Sequence, residues 1–365
     1  MMVEIDDLIL KIHYKIKYLK SIFTLFIIIK IIKIIHHNQN KKKVGVIGLN
    51  HSQNVGNNLL KYAIFIKLSQ LGFDPYIVGK KSLNHNISFI QAYTKIKLIQ
   101  NNFSEIQKND FDILLVNSDQ TWRKWDNNFY DIAFLKFAEK WEKPKFVYAT
   151  SLGLDFWEFN ETDENIAKYL IKNFSGISVR EKGSINLIHK HLGINPLFVL
   201  DPTLLINKKY YLNIIKNFKS EKFLDKNFIF VYLLRNSTHI KNFIIDTSQK
   251  LDYKIFYVNI RHENQIKNFI YGVSHCKAVI TDSYHGTIFS IIFNKPFISF
   301  SPKLNGVERF NTLKQVFGLK ERIYDYNFTS IPNINLLKKT LKFNKTKLNL
   351  LKKISLNFLK QNLNI

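Results

Sequence analysis

The chain has 365 residues, of which 46% are hydrophobic and 14% aromatic, and its formal net charge at pH 7 is +26. This composition excludes an intrinsically disordered chain, and the length allows two domains with their own cores. Only six of the 54 basic residues are Arg, and the lysines are spread over the whole chain. We therefore predict no nucleic-acid partner, which would need a concentrated basic stripe. The positive charge should instead favour anionic ligands or an anionic membrane face.

The first segment, residues 1–42, combines lysines with a strongly apolar run at 22–35 that contains Lys30 and Lys33. The run is too short and too charged for a membrane span, which needs about 20 apolar residues. No small-residue cleavage site follows it, so a secretory signal is not expected. We predict a cytoplasmic protein whose N-terminal amphipathic helix lies either on the inner face of the cytoplasmic membrane or against its own protein. The single cysteine, Cys276, excludes an intrachain disulfide.

From residue 43 onward, short apolar strands alternate with helical patterns. The spacing predicts strands within 41–48 and at 74–79, 111–119, 145–153 and 176–180, a short strand followed by a turn within 196–206, and helices at 59–73, 162–174 and 181–193. After a Lys- and Asn-rich linker at 207–226, it predicts strands at 227–234, 254–260, 277–282 and 295–301, and helices near 238–250 and at 286–293. Such alternation indicates an α/β fold with two doubly wound Rossmann-like domains, at 43–206 and 207–330, and an amphipathic helical tail at 331–365.

Ligands bind at the carboxyl ends of the strands in such sheets, and unusual polar residues lie there. The stretch NVGNN (54–58), with Asn54, Gly56 and Asn57, predicts either an anion site at a helix N-terminus or a simple capping loop. The stretch NSDQTW (117–122) ends on Trp122. It is either a hydrogen-bonding platform for a sugar, with Asp119 and Gln120, or a turn capped by Asp119.

Two further strand ends carry residues suited to chemistry. Arg180 offers a planar guanidinium for a carboxylate or phosphate, or pairs with Glu181 or another neighbour. In TDSYHG (281–286), Asp282 and Ser283 either cap the next helix or bind ligand, and Gly286 leaves room for a ligand to approach. His285 either transfers protons near pH 7 or is a structural histidine. No metal-ligand spacing, P-loop or GxGxxG is present, so we expect neither a metal nor a cofactor.

Seven segments in order resemble the polysaccharide pyruvyl transferase family, over about residues 43–325: NVGNNLLKYAIFIKLSQLGF, FDILLVNSDQTW, VYATSLG, SVREKGS, LDPTLLI, TDSYHGTIFSIIFNKPFISF and NGVERFNTLKQVFGL. The resemblance implies the two-domain GT-B architecture and bacterial cell-envelope polysaccharide biosynthesis. It also implies transfer of a pyruvyl group from phosphoenolpyruvate to two hydroxyls of a glycan or lipid-linked sugar, with formation of a cyclic ketal. Arg180 would then bind the donor anion, and His285 would act as acid–base or phosphate ligand.

The chain departs from this family at Ser283, where some relatives have Arg, and Arg309 is a candidate replacement. Segment 259–276 looks short for the helix that relatives place there. Either Asp119 or Asp282 would deprotonate the sugar hydroxyl or orient His285. Two alternatives stay open: a GT-B-type glycosyltransferase that uses a nucleotide sugar, and a non-catalytic scaffold on a membrane.

Overall fold

The computed structural model describes residues 41–49, 54–80, 87–124, 129–218, 227–258, 264–304 and 306–365. The predicted N-terminal helix lies almost entirely outside these residues. Within them, no helix combines the length and the apolar character needed to cross a membrane.

Seven parallel strands form the first sheet: β1 Lys43–Ile47, β2 Asp74–Lys80, β3 Ile96–Ile99, β4 Ile113–Val116, β5 Lys145–Thr150, β6 Gly176–Val179 and β7 Leu197–Phe198. Their spatial order is β3-β2-β1-β4-β5-β6-β7. The chain builds outward from β1 to β3, then returns to pair β4 with the other side of β1. The carboxyl ends of β1 and β4 therefore flank the switch point at which this fold class binds ligands.

Five parallel strands form the second sheet: β8 Phe228–Tyr232, β9 Lys254–Tyr257, β10 Ala278–Thr281, β11 Phe297–Ser301 and β12 Ile323–Asp325. Their order is β12-β11-β10-β8-β9, so the neighbours β8 and β10 form a second switch point. Both α/β sheets match the predicted fold class.

Eleven α-helices lie in the described residues. They are α1 Val55–Gln70, α2 Ile87–Tyr93, α3 Phe129–Phe134, α4 Glu161–Ile171, α5 Gly183–Leu192, α6 Lys208–Ile214, α7 Thr238–Leu251, α8 Gln265–His275, α9 Tyr284–Ile292, α10 Val307–Phe317 and α11 Lys345–Leu363. Strands β4, β5, β8, β10 and β11 are buried at every residue. That burial explains why these strands are mainly apolar, because helices cover both faces of each sheet.

Local capping chemistry explains where the helix predictions were wrong. Helix α1 begins at Val55, four residues before the predicted start, because the Asn54 side chain accepts a hydrogen bond from Asn57 N at 3.0 Å. Helix α9 begins at Tyr284 rather than residue 286, because Ser283 Oγ accepts from Gly286 N at 3.3 Å. The loop before α1 is therefore about one helical turn shorter than the apolar pattern indicated, and the loop before α9 is two residues shorter.

Several other elements also differ from the sequence prediction. The predicted linker contains α6, and the segment expected to be too short for a helix contains the eleven-residue α8. By contrast, the short strand and turn predicted within 196–206 are confirmed as the two-residue β7 and a 3-10 turn at Pro202–Leu204 that Asp201 caps. The short elements α2, β3, α3 and β12 have no clear pattern of their own and were not predicted.

The predicted helical tail is an integral part of the core. After a 3-10 turn at Ile334–Leu337, α11 packs on the first sheet, where Leu200 N donates to Ser355 Oγ at 2.9 Å. Near its end, Ser175 Oγ donates to Asn362 Oδ1 at 2.7 Å. The chain thus returns from the second sheet to the first through α11.

Candidate active site

A cavity of about 410 Å³ lies where the switch points of the two sheets meet. Its walls come from the strand ends of both sheets and from the start of α10: Leu49, Asn54, Asp119, Gln120, Leu234, Arg235, Asp282, Ser283, Tyr284, His285, Pro302, Arg309 and Phe310. Seven of the eleven residues that the sequence singled out therefore line one cavity. The other four, Gly56, Asn57, Arg180 and Gly286, each contact a residue in its wall.

Asp119 is the residue of the first sheet on which most site contacts converge. Its φ of 93° is a left-handed conformation that is strained for a residue with a side chain, and such strain is common at functional sites. Asn57 Nδ2 donates to one carboxylate oxygen at 3.0 Å, and Arg180 Nη2 donates to the other at 2.9 Å. Both oxygens are therefore fixed, and the carboxylate cannot rotate away from the cavity.

Arg180 forms a buried bridge between two carboxylates. Its side chain is fully buried, and Nη1 donates to Asp201 Oδ2 at 2.5 Å while Nη2 holds Asp119. Burial alone would raise the pKa of Asp119, but the charge of Arg180, with those of His285 and Arg309, outweighs it and holds the pKa well below its usual range. The pKa of Asp201 is lowered against burial by His285 and Arg180. Both groups stay ionised at neutral pH.

His285 lies between the two sheets on the first turn of α9. Its Nε2 is 3.7 Å from Asp201 Oδ2 and has no hydrogen-bond partner among the described residues. Its ring lies against the backbone of Gly56, where a Cβ would come within 2.0 Å of Nδ1. Gly56 is therefore required for the position of His285, because any side chain at residue 56 would collide with this ring.

Arg309, from α10, supplies a guanidinium that lines the cavity. Its nearest carboxylate oxygens, on Asp119 and Glu181, are both 4.0 Å away, which is beyond hydrogen-bond distance. Its buried Nε has no partner within the described residues, and the group lies 5.3 Å from the centre of the Tyr284 ring. Burial and repulsion from Arg180 lower its pKa. The positive charge of Arg309 is therefore incompletely compensated.

The residues of the TDSYHG loop differ in part from the roles predicted for them. Ser283 caps α9, as one of the two interpretations held, but Asp282 does not. The Asp282 carboxylate instead accepts from Leu234 N at 2.6 Å and from Arg235 N at 3.0 Å, so it fixes the loop after β8. Burial raises its pKa, although these backbone donors oppose that effect.

Three sequence-based interpretations need correction. The space beside Gly286 is not open to a ligand, because a Cβ there would lie 2.3 Å from Thr281 Oγ1. Of the polar run predicted as a sugar platform or a capped turn, Asp119 and Gln120 line the cavity, but Trp122 is fully buried and its Nε1 donates to Ala133 O at 3.1 Å. Arg180 does not line the cavity, and both of its Nη atoms are bound to carboxylates. Its partners are Asp119 and Asp201, whereas Glu181 accepts from Ser151, Gly153 and Ser184.

Sequence reasoning missed Asp201 and Glu181. Asp201 lies in the apolar segment LDPTLLI, and its Oδ1 accepts from Thr203 N and Oγ1 at 3.0 and 2.6 Å. The Asp between Leu and Pro in this apolar segment was the only sequence feature that pointed to Asp201, but the same feature is equally typical of a turn. Among the described residues, no group of three or more His, Cys, Asp or Glu side chains is placed to hold a metal ion.

The fold is shared with sugar-nucleotide proteins of very different sequence. Neisseria meningitidis UDP-GlcNAc 2-epimerase, bound to UDP-GlcNAc, aligns with a TM-score of 0.56 at 10% identity, covering 89% of this chain and all of the epimerase. An Arabidopsis thaliana protein in complex with UDP-L-rhamnose aligns with a TM-score of 0.51 at 9% identity, covering 88% of this chain and 96% of the plant chain. At these identities the likeness establishes the GT-B-like fold alone.

Sequence comparison gives a more specific result. No curated protein matches the chain, but the family model for polysaccharide pyruvyl transferase matches residues 54–303. The match covers more than half of the chain and contains Asp119, Arg180, Asp201 and His285. Together with the two-sheet fold and the cavity between the strand ends, it shows that this chain is a transferase that belongs to the polysaccharide pyruvyl transferase family.

Proposed function

We propose that the protein transfers the pyruvyl group of phosphoenolpyruvate to two hydroxyls of a sugar in a surface polysaccharide or its lipid-linked precursor, and so forms a cyclic ketal. Family membership supports polysaccharide pyruvylation in general. The phosphoenolpyruvate donor rests on the chemistry of the cavity, and its volume of about 410 Å³ is within the range of about 300–1,000 Å³ typical of small-molecule sites.

The observation that carries the donor assignment is a pair of buried nitrogen atoms with unused hydrogen-bonding capacity. Arg309 Nε and His285 Nε2 both lack a partner among the described residues, and both side chains line the cavity. A buried donor without an acceptor is costly, and a buried guanidinium especially so. An anionic ligand would supply the missing hydrogen-bond partner of both nitrogen atoms. We therefore assign donor-anion binding to Arg309, and give Arg180 the role of holding Asp119 and Asp201.

The residues also fit the proton transfers that the reaction needs. A proton is added to the methylene carbon of the enol phosphate, and the resulting cationic carbon is attacked by a sugar hydroxyl, which loses its proton. The carbon–oxygen bond to phosphate then breaks, and attack by a second hydroxyl, with loss of its proton, closes the ketal. His285 Nε2 is the proton-transfer group of this proposal, because His285 lines the cavity and this nitrogen makes no competing hydrogen bond to the part of the chain that the structure describes.

The two aspartates of the cavity differ as proton acceptors for the sugar hydroxyls. The pKa of Asp119 is held well below its usual range, which makes its carboxylate a poor base. The pKa of Asp282 is raised by burial, and this residue also lines the cavity. Asp282 is therefore the better base, and Asp119 serves to orient the positively charged groups.

A nucleotide-sugar glycosyltransferase is the second candidate, because the structures at TM-scores of 0.51 and 0.56 contain UDP-sugars. The two candidates differ in donor, so thermal-shift measurements with phosphoenolpyruvate and with UDP-sugars separate them. On our proposal only phosphoenolpyruvate raises the melting temperature. A shift with UDP-sugars alone would replace it by the second candidate.

The decisive experiment measures phosphate release from phosphoenolpyruvate in the presence of pooled glycan and lipid-linked acceptors. We expect release with the wild type, and a reduction of about 10²- to 10⁴-fold for His285→Ala, the range for loss of a general acid–base. His189→Ala on α5 is the matched control, since His189 is exposed. Absence of acceptor-dependent phosphate release by the folded wild type would overturn the proposal.

Membrane association of the protein remains part of the same proposal. The acceptor could be a soluble glycan or a lipid-linked sugar, and the apolar–basic segment 1–42 would bring the enzyme to the inner face of the cytoplasmic membrane in the second case. Flotation of the full chain with anionic vesicles, compared with a chain that starts at residue 43, tests this role: we expect only the full chain to float, and equal behaviour of the two would refute it.

A further inference from the structure

The arginines of the chain are few, and their contacts separate them into two groups. Only six of the 54 basic residues are Arg, and the structure describes five of these. The guanidinium groups of Arg123, Arg180 and Arg322 donate hydrogen bonds to oxygen atoms of the protein itself. By contrast, Arg235 and Arg309 both line the cavity, and their nearest carboxylate oxygens within the described residues are 3.9 and 4.0 Å away, beyond hydrogen-bond distance. Since Arg309 is assigned to the donor anion, Arg235 is the cavity-lining arginine that the proposed mechanism does not use.

The backbone of Arg235 is fixed at the wall of the cavity by Asp282. The two oxygens of this carboxylate accept hydrogen bonds from Leu234 N at 2.6 Å and from Arg235 N at 3.0 Å. The Asp282 side chain is fully buried, whereas the Arg235 side chain is 40% exposed. Asp282 therefore orders the loop after β8 without using the five N–H donors of the guanidinium, which stay available to a ligand. Such preorganisation lowers the entropic cost of binding.

Arg235 and Arg309 lie next to different carboxylates. Arg309 is 4.0 Å from Asp119 and from Glu181, whereas the ion pair of Arg235 is with Asp282. On the proposed function, Arg309 binds the donor anion and Asp282 takes protons from the sugar hydroxyls. Arg235 therefore lies beside the base that serves the acceptor.

We infer that the acceptor carries an oxyanion, either a phosphate or a carboxylate, close to the hydroxyls that form the ketal, and that Arg235 binds this oxyanion. A guanidinium matches both groups through two parallel N–H donors, which a lysine ammonium cannot do. The inference rests on the proposed function and deepens it, because it assigns the acceptor to the acidic or phosphorylated sugars. Neutral glycans, which the proposed function also admits, would be poor acceptors.

Replacement of Arg235 should weaken binding of the acceptor and leave the other steps intact. The oxyanion takes no part in bond making, so Arg235→Met should raise the KM for the acceptor and leave kcat near the wild-type value. We expect a rise of about tenfold, the lower end of the range for a hydrogen bond to a charged group, because Arg235 is partly exposed to solvent. The KM for phosphoenolpyruvate should not change. Arg235→Lys keeps the charge but loses the planar donors, so its acceptor KM should be intermediate.

The test uses the full chain and the pool of glycan and lipid-linked acceptors, separated into neutral, carboxylate-bearing and phosphate-bearing fractions. Phosphate release from phosphoenolpyruvate labelled in its phosphate group is measured with each fraction for the wild type, Arg235→Met and Arg235→Lys. We expect the wild type to prefer one of the two anionic fractions, and the fraction that it prefers identifies the oxyanion. The control, Lys241→Met, removes an exposed positive charge from α7, the helix that follows Arg235, and should match the wild type.

The outcomes separate this inference from the proposed function. Use of the neutral fraction as well as or better than the anionic ones would overturn the inference, while the release itself would support pyruvyl transfer. An unchanged acceptor KM in Arg235→Met would also overturn it, and a raised KM for phosphoenolpyruvate in that variant would move Arg235 to the donor. If Arg235→Met does not fold, Arg235→Lys and the wild-type preference among the fractions decide. Absence of release with every fraction would overturn the proposed function and the inference together.

Discussion

The sharpest prediction concerns the two arginines of the site, which the sequence treats alike and the structure separates. Arg180 is fully buried between Asp119 and Asp201. Its replacement in Arg180→Met leaves both carboxylates without a counter-charge. Removal of one partner of a buried ion pair typically costs about 3–5 kcal/mol, so we expect the free energy of unfolding at pH 7 to fall by at least that amount.

Arg309→Met should behave in the opposite way. The pKa of Arg309 is lowered by burial and by Arg180, so its charge is unfavourable in the ligand-free protein. We expect the free energy of unfolding to stay within about 1 kcal/mol of the wild type. Loss of its hydrogen bond to the donor anion, worth about 1.5–3 kcal/mol, should reduce phosphoenolpyruvate affinity roughly 10- to 150-fold.

The assay is urea unfolding of the wild type and both variants at pH 7 and pH 4. The lowered pKa values of Asp119 and Asp201 contribute stability that is present above the unfolded-state value of about 4 and is lost as the pH falls through the folded values. In Arg180→Met these carboxylates become protonated more easily, so the difference from the wild type should shrink at pH 4. Equal destabilisation by Arg180→Met and Arg309→Met at pH 7 would refute the division of roles.

Three further predictions concern Gly56 in α1, the Ser283 cap of α9 and the stability of the protein at low pH. Gly56→Ala would place a Cβ 2.0 Å from His285 Nδ1, so we expect a displaced His285 ring and a lower kcat. The free energy of unfolding should fall by about 1–3 kcal/mol. An unmoved ring in a crystal structure of the variant would contradict this. Ser283→Ala removes the cap of α9 and should cost about 1 kcal/mol in thermal unfolding, whereas Ser283→Gly should cost only a few tenths. The wild type should lose stability steeply below about pH 4, and a free energy of unfolding that stays constant from pH 5 to 3 would contradict the charge assignment of Asp119 and Asp201.

The order of strands and helices was largely readable from the sequence. Strands such as β4 and β10 are short, continuous apolar segments, because helices cover them on both sides. The polar residues at their ends, among them Asp119 and His285, were found because parallel strands deliver their carboxyl ends to one edge of a sheet. The sequence by itself therefore determined the fold class and most of the cavity wall.

Only the tertiary structure shows which role each residue of the site has. Arg180 and Arg309 are the same residue type near two strand ends, and only the placement of Asp201 beside Arg180 shows which guanidinium is already bound. Gly286 looked like an opening for a ligand, but the Thr281 side chain occupies that space, and Gly56 accommodates the ring of His285 from a distant segment. Such contacts join residues many positions apart, and the energies of buried charges depend on their three-dimensional neighbours rather than on local sequence pattern.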